Sequence, residues 1–512
     1  MDWTAGYASD IEYTAGFYAE QSPAHLNFVC AINGYEPVPL DRPFTYCELG
    51  FGRGLTANVL AASNPNGQFY AADFNPAHVA GAQALADSAG LTNLTLMETS
   101  FEAMARGKGG ALPMFDFITL HGIYTWVTAE NRQHIVDFIA RYLKPGGIVY
   151  MSYNAMPGWS ASLPLQRMLV EYGDAHPGRS DQQITQAAGF IQKLAGAQSA
   201  YFTAPELTAR LATLAKANRN YLAHEYMHKH WQPLYHADVA RDVAQAKLDF
   251  VGLAELPWNY RGMYLSQEKQ DLIATFADSP MRETLKDYML NTGFRKDVYV
   301  RGARKMSSLR LSEWLSQVRV MLTVPREQVN FEMALPFGKF RGNAVYEQVC
   351  DALAAGPLTL GQLGQLPVLA EQSLGALAQV VVLMSSAGQM AIYHGDRAAV
   401  DAAPARRMNR TLATQVRYSD DYPALCSPLL GTGMAWGFIE RVVYGMALEQ
   451  GGAPDVELAV GSAFNLMKMQ SRRLVKDGVT LDSDDDNRAE VRRQVEQAIA
   501  VRLPLWRALR ML

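Results

Sequence analysis

The stretch FTYCELGFGRGLTANVLAASNPNGQFYAAD, residues 44–73, decides the fold. It opens with an apolar run, residues 44–49, that reads as a buried strand. The run enters a glycine-rich turn, Gly50-Phe51-Gly52-Arg53-Gly54. Residues 55–62 then read as a helix, and 68–72 as a second strand that ends on Asp73. Such a βαβ unit, with glycines at its first turn and a carboxylate at the tip of its second strand, binds a nucleoside-containing cofactor. The glycines let the ligand approach the backbone, and the acid accepts the ribose hydroxyls.

The kind of cofactor follows from what is missing. A dinucleotide fingerprint needs a third glycine three residues after its second. Counted from Gly52, that position is Leu55. No Lys-Ser or Lys-Thr follows the glycines, which disfavours a nucleotide triphosphate cradle. The pattern is instead Glu48-x-Gly50-x-Gly52-x-Gly54, and an acid just ahead of the glycines suits a ligand with a positive amino group. S-adenosylmethionine carries an α-amino group, a ribose and an adenine. The motif resembles the first motif of class I S-adenosylmethionine-dependent methyltransferases.

The alternation continues beyond Asp73. Pro76 opens a helix that ends near Gly90, residues 94–99 and 115–120 read as strands, and Thr128 caps a helix stopped by Lys144-Pro145-Gly146-Gly147. Residues 148–153 read as a fifth strand. This is an α/β pattern with a parallel, doubly wound sheet, whose right-handed crossovers bring the strand tips to one edge. That edge gathers Gly50, Asp73, Ser100, His121 and Asn154 into one crevice. Ahead of the sheet, residues 1–40 are rich in Tyr and Phe. They read either as helices covering the sheet or as a lid, with Tyr13 and Tyr18 over the cofactor's sulfonium.

Past Asn154 the pattern turns helical, over 155–246. Residues 248–254 and 297–300 read as two more strands. The helical stretch is then an insertion within a sheet domain spanning 41–302, or else an independent helical domain. A middle domain, 303–400, contains a helix at 345–355, an apolar helix at 369–384 and a short strand at 389–393, which resemble a winged helix. No Lys or Arg lies between Leu369 and Gly388, so nucleic acid is not the expected partner. Residues 401–512 read as a helical C-terminal domain with a turn at 428–433, and 482–487 (DSDDDN) as a solvated acidic loop.

The 512 residues carry a net charge of −4 and 49% hydrophobic residues, which allows large cores and gives no global attraction to nucleic acid or acidic membranes. The four cysteines form no CxxC, and the longest apolar run is too short to span a bilayer. With no basic residue ahead of an early apolar run, the expectation is a soluble cytoplasmic protein without a membrane span. His224-Glu225-Tyr226-Met227-His228 matches the zinc motif HExxH. Its nearest third histidines are wrongly spaced, and Pro233 ends any helix soon after. No metal is expected. His224, Glu225 and Tyr226 could instead face the crevice and contact a methyl acceptor.

Several stretches together resemble bacterial class I methyltransferases with a methyltransferase regulatory domain: FYAEQSP (17–23), LNFVCAINGYEP (26–37), CELGFGRG (47–54), DFNPAHVA (73–80), FDFITLHGIYTWV (115–127), YNAMPGW (153–159), HEYMHKHWQPLY (224–235) and GFRKDVYVRG (293–302). Rickettsial protein-lysine methyltransferases share this arrangement. The resemblance implies S-adenosylmethionine as donor, lysine side chains of a protein or peptide as acceptor, a Rossmann-like sheet with a helical insertion, a mainly helical C-terminal half around an open cavity, and a possible homodimer. A small-molecule methyltransferase and a silent cofactor-binding scaffold are the alternatives. Glu48, Gly50, Gly52 and Gly54 are assigned to the methionine end of the cofactor and Asp73 to the ribose. Phe74, Ser100 and Phe101 form the adenine wall, although both phenylalanines could equally be ordinary core. His121, Tyr124, Trp126, Tyr153 and Asn154 are the candidates for acceptor chemistry, with His121 either a general base or a structural histidine.

Overall fold

A computed structural model of the chain describes residues 15–216 and 219–512. The stretch at 44–73 forms the expected unit: β1 (Phe44–Leu49) and β2 (Gly67–Asp73) pair in parallel around the helix Leu55–Ser63. β3 (Leu94–Glu98), β4 (Phe115–Leu120), β5 (Leu143–Asn154), β6 (Leu248–Leu253) and β7 (Phe294–Arg301) complete one sheet in the order β3-β2-β1-β4-β5-β7-β6. β7 runs antiparallel between β5 and β6, while the other pairs are parallel. The strand order reverses between β1 and β4, and a crevice opens beyond the strand C-termini at such a switch point.

Alternation along the strands divides the core into two faces. Tyr46, Phe117 and Tyr150 pack with the helix Pro23–Ile32 on one side. Cys47, Ile118, Met151 and Tyr153 pack with the helix Ala129–Tyr142 on the other. Thr128 caps that second helix, its hydroxyl accepting the Asn131 N–H at 3.2 Å. All four cysteines are buried and unpaired.

Between β5 and β6 the chain forms the helices Leu163–Ala175, Ser180–Gly196, Thr208–Lys216, Arg219–Tyr226 and His236–Ala244, then returns to the same sheet. The first four surround their own core, with Leu165, Ile184, Leu222 and Tyr226 against Trp159 and Trp231.

The C-terminal half differs from expectation in three places. The apolar helix begins at Leu374, not 369, because the Ser373 hydroxyl accepts the Ala376 N–H and fixes its first turn. The following strand, Met390–His394, makes no local hairpin and pairs antiparallel with Val318–Leu322. The acidic run is no loop: Ser483 caps Asp484–Gln497, and Asp484, Asp485 and Asp486 fill its first turn, where the helix dipole favours negative charge. The turn at 428–433 does form, closing a hairpin of Ala424–Ser427 and Thr432–Ala435. No helix among the described residues is long and apolar enough to cross a membrane.

The helix Leu55–Ser63 has every residue buried, which explains why LTANVLAAS shows no polar face. Its outer side shares a core with Met408, Leu412, Leu425 and Cys426. At its C-terminal end the Arg397 guanidinium donates to the Ser63 carbonyl and Asn64 Oδ1, a cation placed at the negative end of the helix dipole. The helix that follows the glycine turn is therefore clamped by an arginine 334 positions away.

Candidate functional site

A cavity of about 640 Å³ lies beyond the C-terminal ends of β1, β2, β3 and β4. The glycine turn forms its floor. Gly50 N–H donates to the Ala72 carbonyl at 2.7 Å, which holds the turn against β2. Gly50 and Gly54 both have positive φ (+68° and +72°). A Cβ on Gly50 would lie 2.4 Å from Ile123 Cδ1, and one on Gly54 2.5 Å from the Ala82 Cβ. Handedness thus favours glycine at both positions, and at Gly54 the crowding against Ala82 adds to it.

Asp73 is anchored to that floor. Its Oδ2 accepts the Gly52 N–H at 2.9 Å, and its Oδ1 accepts the Asn75 N–H at 2.9 Å and His78 Nδ1–H at 3.2 Å. An ionised carboxylate has about four acceptor positions, so one remains for a ligand hydroxyl. Glu48 is only 4% exposed. Its Oε1 accepts from Gln21 Nε2 at 3.4 Å, and its Oε2 has no partner among the described residues. Burial, aided by the nearby Asp73 charge and opposed by the Gln21 bond, pushes the Glu48 carboxyl up to about 8. A buried, unpartnered carboxylate oxygen facing a cavity is a site for a cationic group, and an α-amino group fits it. Phe74, Ser100 and Phe101 line the same end, with the Ser100 hydroxyl capping Phe101–Ala105.

Tyr18 and His121 form one wall. Their rings stack with centroids 3.6 Å apart, and Tyr18 N–H donates to Thr56 Oγ1 at 3.2 Å. Tyr13 lies outside the described residues. His121 Nδ1 shares a 2.7 Å hydrogen bond with the Tyr150 hydroxyl. Burial pushes its imidazole down to about 3. The ring is uncharged at neutral pH and too weakly basic to match a general base working there, which favours the structural alternative.

Glu48, Gly50, Gly52, Asp73, Phe74, Ser100, Phe101, Tyr18, His121 and Trp126 line one cavity; Gly54 caps the adjoining helix. Three expected residues stand elsewhere. Tyr124 is buried, its hydroxyl donating to Asp242 Oδ2 at 2.9 Å. Tyr153 lies on the sheet face opposite Tyr150, because neighbouring strand residues alternate. Its hydroxyl donates to Asp297 Oδ2 at 2.6 Å within a buried network that includes Arg295 and His236. Asn154 is covered by the segment around Leu234, whose N–H donates to the Asn154 carbonyl at 3.0 Å. None of the three lines the cavity.

The sequence reading did not assign His78, which holds Asp73, or Ile123, which stands against Gly50. Asn75-Pro76 just ahead of His78 was the usable signal, since an Asn cap and first-turn proline fix where the third helical residue points. The far wall comprises Trp126, Thr128 and Asn131 together with His224, Glu225 and His228. Tyr226 turns inward against Trp159 and does not line it. The helix carrying His224 ends at Tyr226, so His228 lies beyond it and the HExxH spacing does not place both imidazoles on one helical face. No cluster of three or more His, Cys, Asp or Glu among the described residues is arranged to hold a metal ion.

Comparison with known proteins adds independent findings. A methyltransferase domain model matches residues 47–147, and a model described as a predicted methyltransferase regulatory domain matches 218–301. An uncharacterised Synechocystis protein, sll1526, is 35% identical over 513 aligned positions, covering 99% of each chain. An uncharacterised Rickettsia prowazekii protein, RP789, is 23% identical over 56% of this chain and 51% of its own. The structure of PKMT2 from Rickettsia typhi in complex with AdoHcy superposes with a TM-score of 0.69 at 17% identity, covering 97% of this chain and 99% of that one.

Proposed function

Since the chain belongs to the class I methyltransferases that carry a methyltransferase regulatory domain, we propose that it N-methylates lysine side chains of protein substrates. The donor of this family is S-adenosylmethionine, which supplies when bound a methyl carbon activated by a sulfonium. The chain's own groups suit that ligand. Glu48 receives the α-amino group, the turn from Gly50 to Gly54 lets the methionine end approach the backbone, and Asp73 takes a ribose hydroxyl. Phe74 and Phe101 flank the adenine, with the Ser100 hydroxyl at its edge. Tyr18, stacked on His121, closes the cavity on the N-terminal side and excludes water from the reacting end.

One observation carries the choice of acceptor. The cavity lined by the cofactor groups is also lined by Trp126, His224, Glu225 and His228, with Trp126 against His228. An aromatic and carboxylate wall suits the long apolar stem and cationic tip of a lysine side chain. The superposition on PKMT2 over nearly the whole chain supports the same reading. The test is incubation with isotopically labelled S-adenosylmethionine and a host-cell lysate, followed by mass spectrometry of the modified residues. Label on protein lysines is expected, and label confined to small molecules would overturn the proposal.

A further inference from the structure

One acid that lines the cavity has no hydrogen bond or ion pair among the described residues. Glu225 is half-buried on Arg219–Tyr226, between His224, which is 5% exposed, and Tyr226, which is 2% exposed. It nevertheless lines the cavity. No described residue donates a hydrogen bond to its carboxylate or forms an ion pair with it. The cation that acts on it, Arg210, is also stacked on Trp159, its guanidinium 3.8 Å from the ring centroid. His228, on the same wall, cannot serve as counter-ion, because burial pushes its imidazole down to about 4 and keeps it uncharged at neutral pH.

An unpaired acid in such a place costs stability unless a ligand supplies the missing charge. Burial pushes the Glu225 carboxyl up to about 7, against the pull of Arg210, as expected of an acid awaiting a cation. Trp126 stands on the same wall and packs edge-on to His228 with ring centroids 5.8 Å apart. A carboxylate beside an indole is a recurrent way to hold an alkylammonium group, the carboxylate taking its charge and the ring its methylenes.

We propose that Glu225 is the acceptor-binding residue, receiving the side-chain ammonium of the substrate lysine against Trp126. This rests on the lysine-directed reading above and deepens it by naming the residue that selects an amine over a hydroxyl or thiol. It also gives the segment matched as a regulatory domain, residues 218–301, a direct part in the site. The Glu48 carboxylate would hold the amine of the donor and the Glu225 carboxylate the amine of the acceptor, both lining one cavity.

The test uses the full-length protein saturated with S-adenosylhomocysteine. Two probes are titrated by calorimetry: Nα-acetyl-lysine methylamide and the uncharged Nα-acetyl-norleucine methylamide. The lysine probe should bind saturably at up to about 50 mM, about tenfold more weakly in Glu225→Gln, with the norleucine probe indifferent to the substitution. Glu225→Asp, which keeps the charge, should recover part of the loss. Normal S-adenosylhomocysteine binding by both variants shows that they are folded. Equal binding of the lysine probe by wild type and Glu225→Gln would overturn the assignment, as would no saturable binding by wild type. Failure of the wild type to bind S-adenosylhomocysteine would instead overturn the methyltransferase reading itself, so the two failures are distinct.

Discussion

The two ends of the cavity are built by opposite strategies. At the cofactor end most groups sit within a few residues of a strand terminus, and Asp73 is held by its neighbours, while one oxygen of Glu48 has no partner among the described residues. Asp73 accepts two backbone N–H groups and His78, all within 21 residues of itself. At the far end Trp126 comes from the loop after β4, while Glu225 arrives about a hundred residues later from a helix with its own core. Its carboxylate has no donor to hold it. The first end is preorganised for one ligand; the second offers an unsatisfied charge on an adaptable wall. A constant cofactor and a variable macromolecular acceptor would need this division.

If the cofactor end is rigid, the largest effects should come from its glycines. Gly54→Val combines a β-branched side chain at φ +72° with a Cβ placed 2.5 Å from Ala82. Backbone strain and overpacking together should cost about 2–6 kcal/mol, seen as a lowered denaturation midpoint. Gly54→Ala combined with Ala82→Gly should recover the crowding part and leave about 1–2 kcal/mol of backbone cost. A Gly54→Val variant of undiminished stability would show that the turn yields, and the contrast in rigidity would collapse.

The next effect is on affinity. Asp73→Ala should weaken S-adenosylhomocysteine binding more than tenfold by calorimetry, through loss of the ribose acceptor and of the Gly52 tether. Unchanged affinity would remove Asp73 from the site.

Glu48 sharpens the comparison through pH. In the unliganded protein its carboxyl is pushed up to about 8, so near neutrality it is largely protonated. A cationic amine needs the ionised form, so binding should release close to one proton at pH 7 and tighten about fiftyfold from pH 6 to pH 8. Calorimetry in buffers of different ionisation enthalpy reads the release, and Glu48→Gln should abolish it. The stability of the unliganded protein carries the opposite sign. A carboxyl raised on folding keeps a proton that the unfolded chain has lost between about pH 4.5 and 8, so its contribution falls as pH rises through that window. The wild-type minus Glu48→Gln difference isolates this from the histidines. Proton uptake on binding would refute the assignment.

What the sequence made legible follows the same division. The unit at 44–73 was readable because strand, turn and helix each carry a local signal, and the two later strands because they are short apolar runs near glycines. Tyr153 and Asn154 were misplaced although β5 was found. Alternation put Tyr153 on the face opposite Tyr150, beside Asp297, and Asn154 is covered by the distant segment around Leu234. Tyr124 was misplaced because a helix far along the chain supplies Asp242 to its hydroxyl. Glu225 stands out through a zinc motif and a resemblance stretch and reads as a candidate acceptor contact, but its position depends on how four helices pack.

The smallest effect tests whether the cofactor end is purely local. Arg53, inside the glycine turn, pairs with Asp421 at 2.8 Å and reaches the Tyr422 hydroxyl at 3.4 Å. Both partners belong to the C-terminal half that also packs against Leu55–Ser63. A half-exposed pair of this kind is worth about 0–1 kcal/mol, so Arg53→Ala and Asp421→Ala should each weaken S-adenosylhomocysteine binding at most about fivefold. A double-mutant cycle decides what that loss means. If Arg53 acts by touching the ligand, Asp421→Ala should have almost no effect alone. If the pair acts by steadying the turn, the double variant should be no weaker than the worse single one. In that second case the cofactor end is held partly from 368 residues away, and distance along the chain ceases to be what separates it from the acceptor end. The separation would then lie only in how well each carboxylate is satisfied before its ligand arrives.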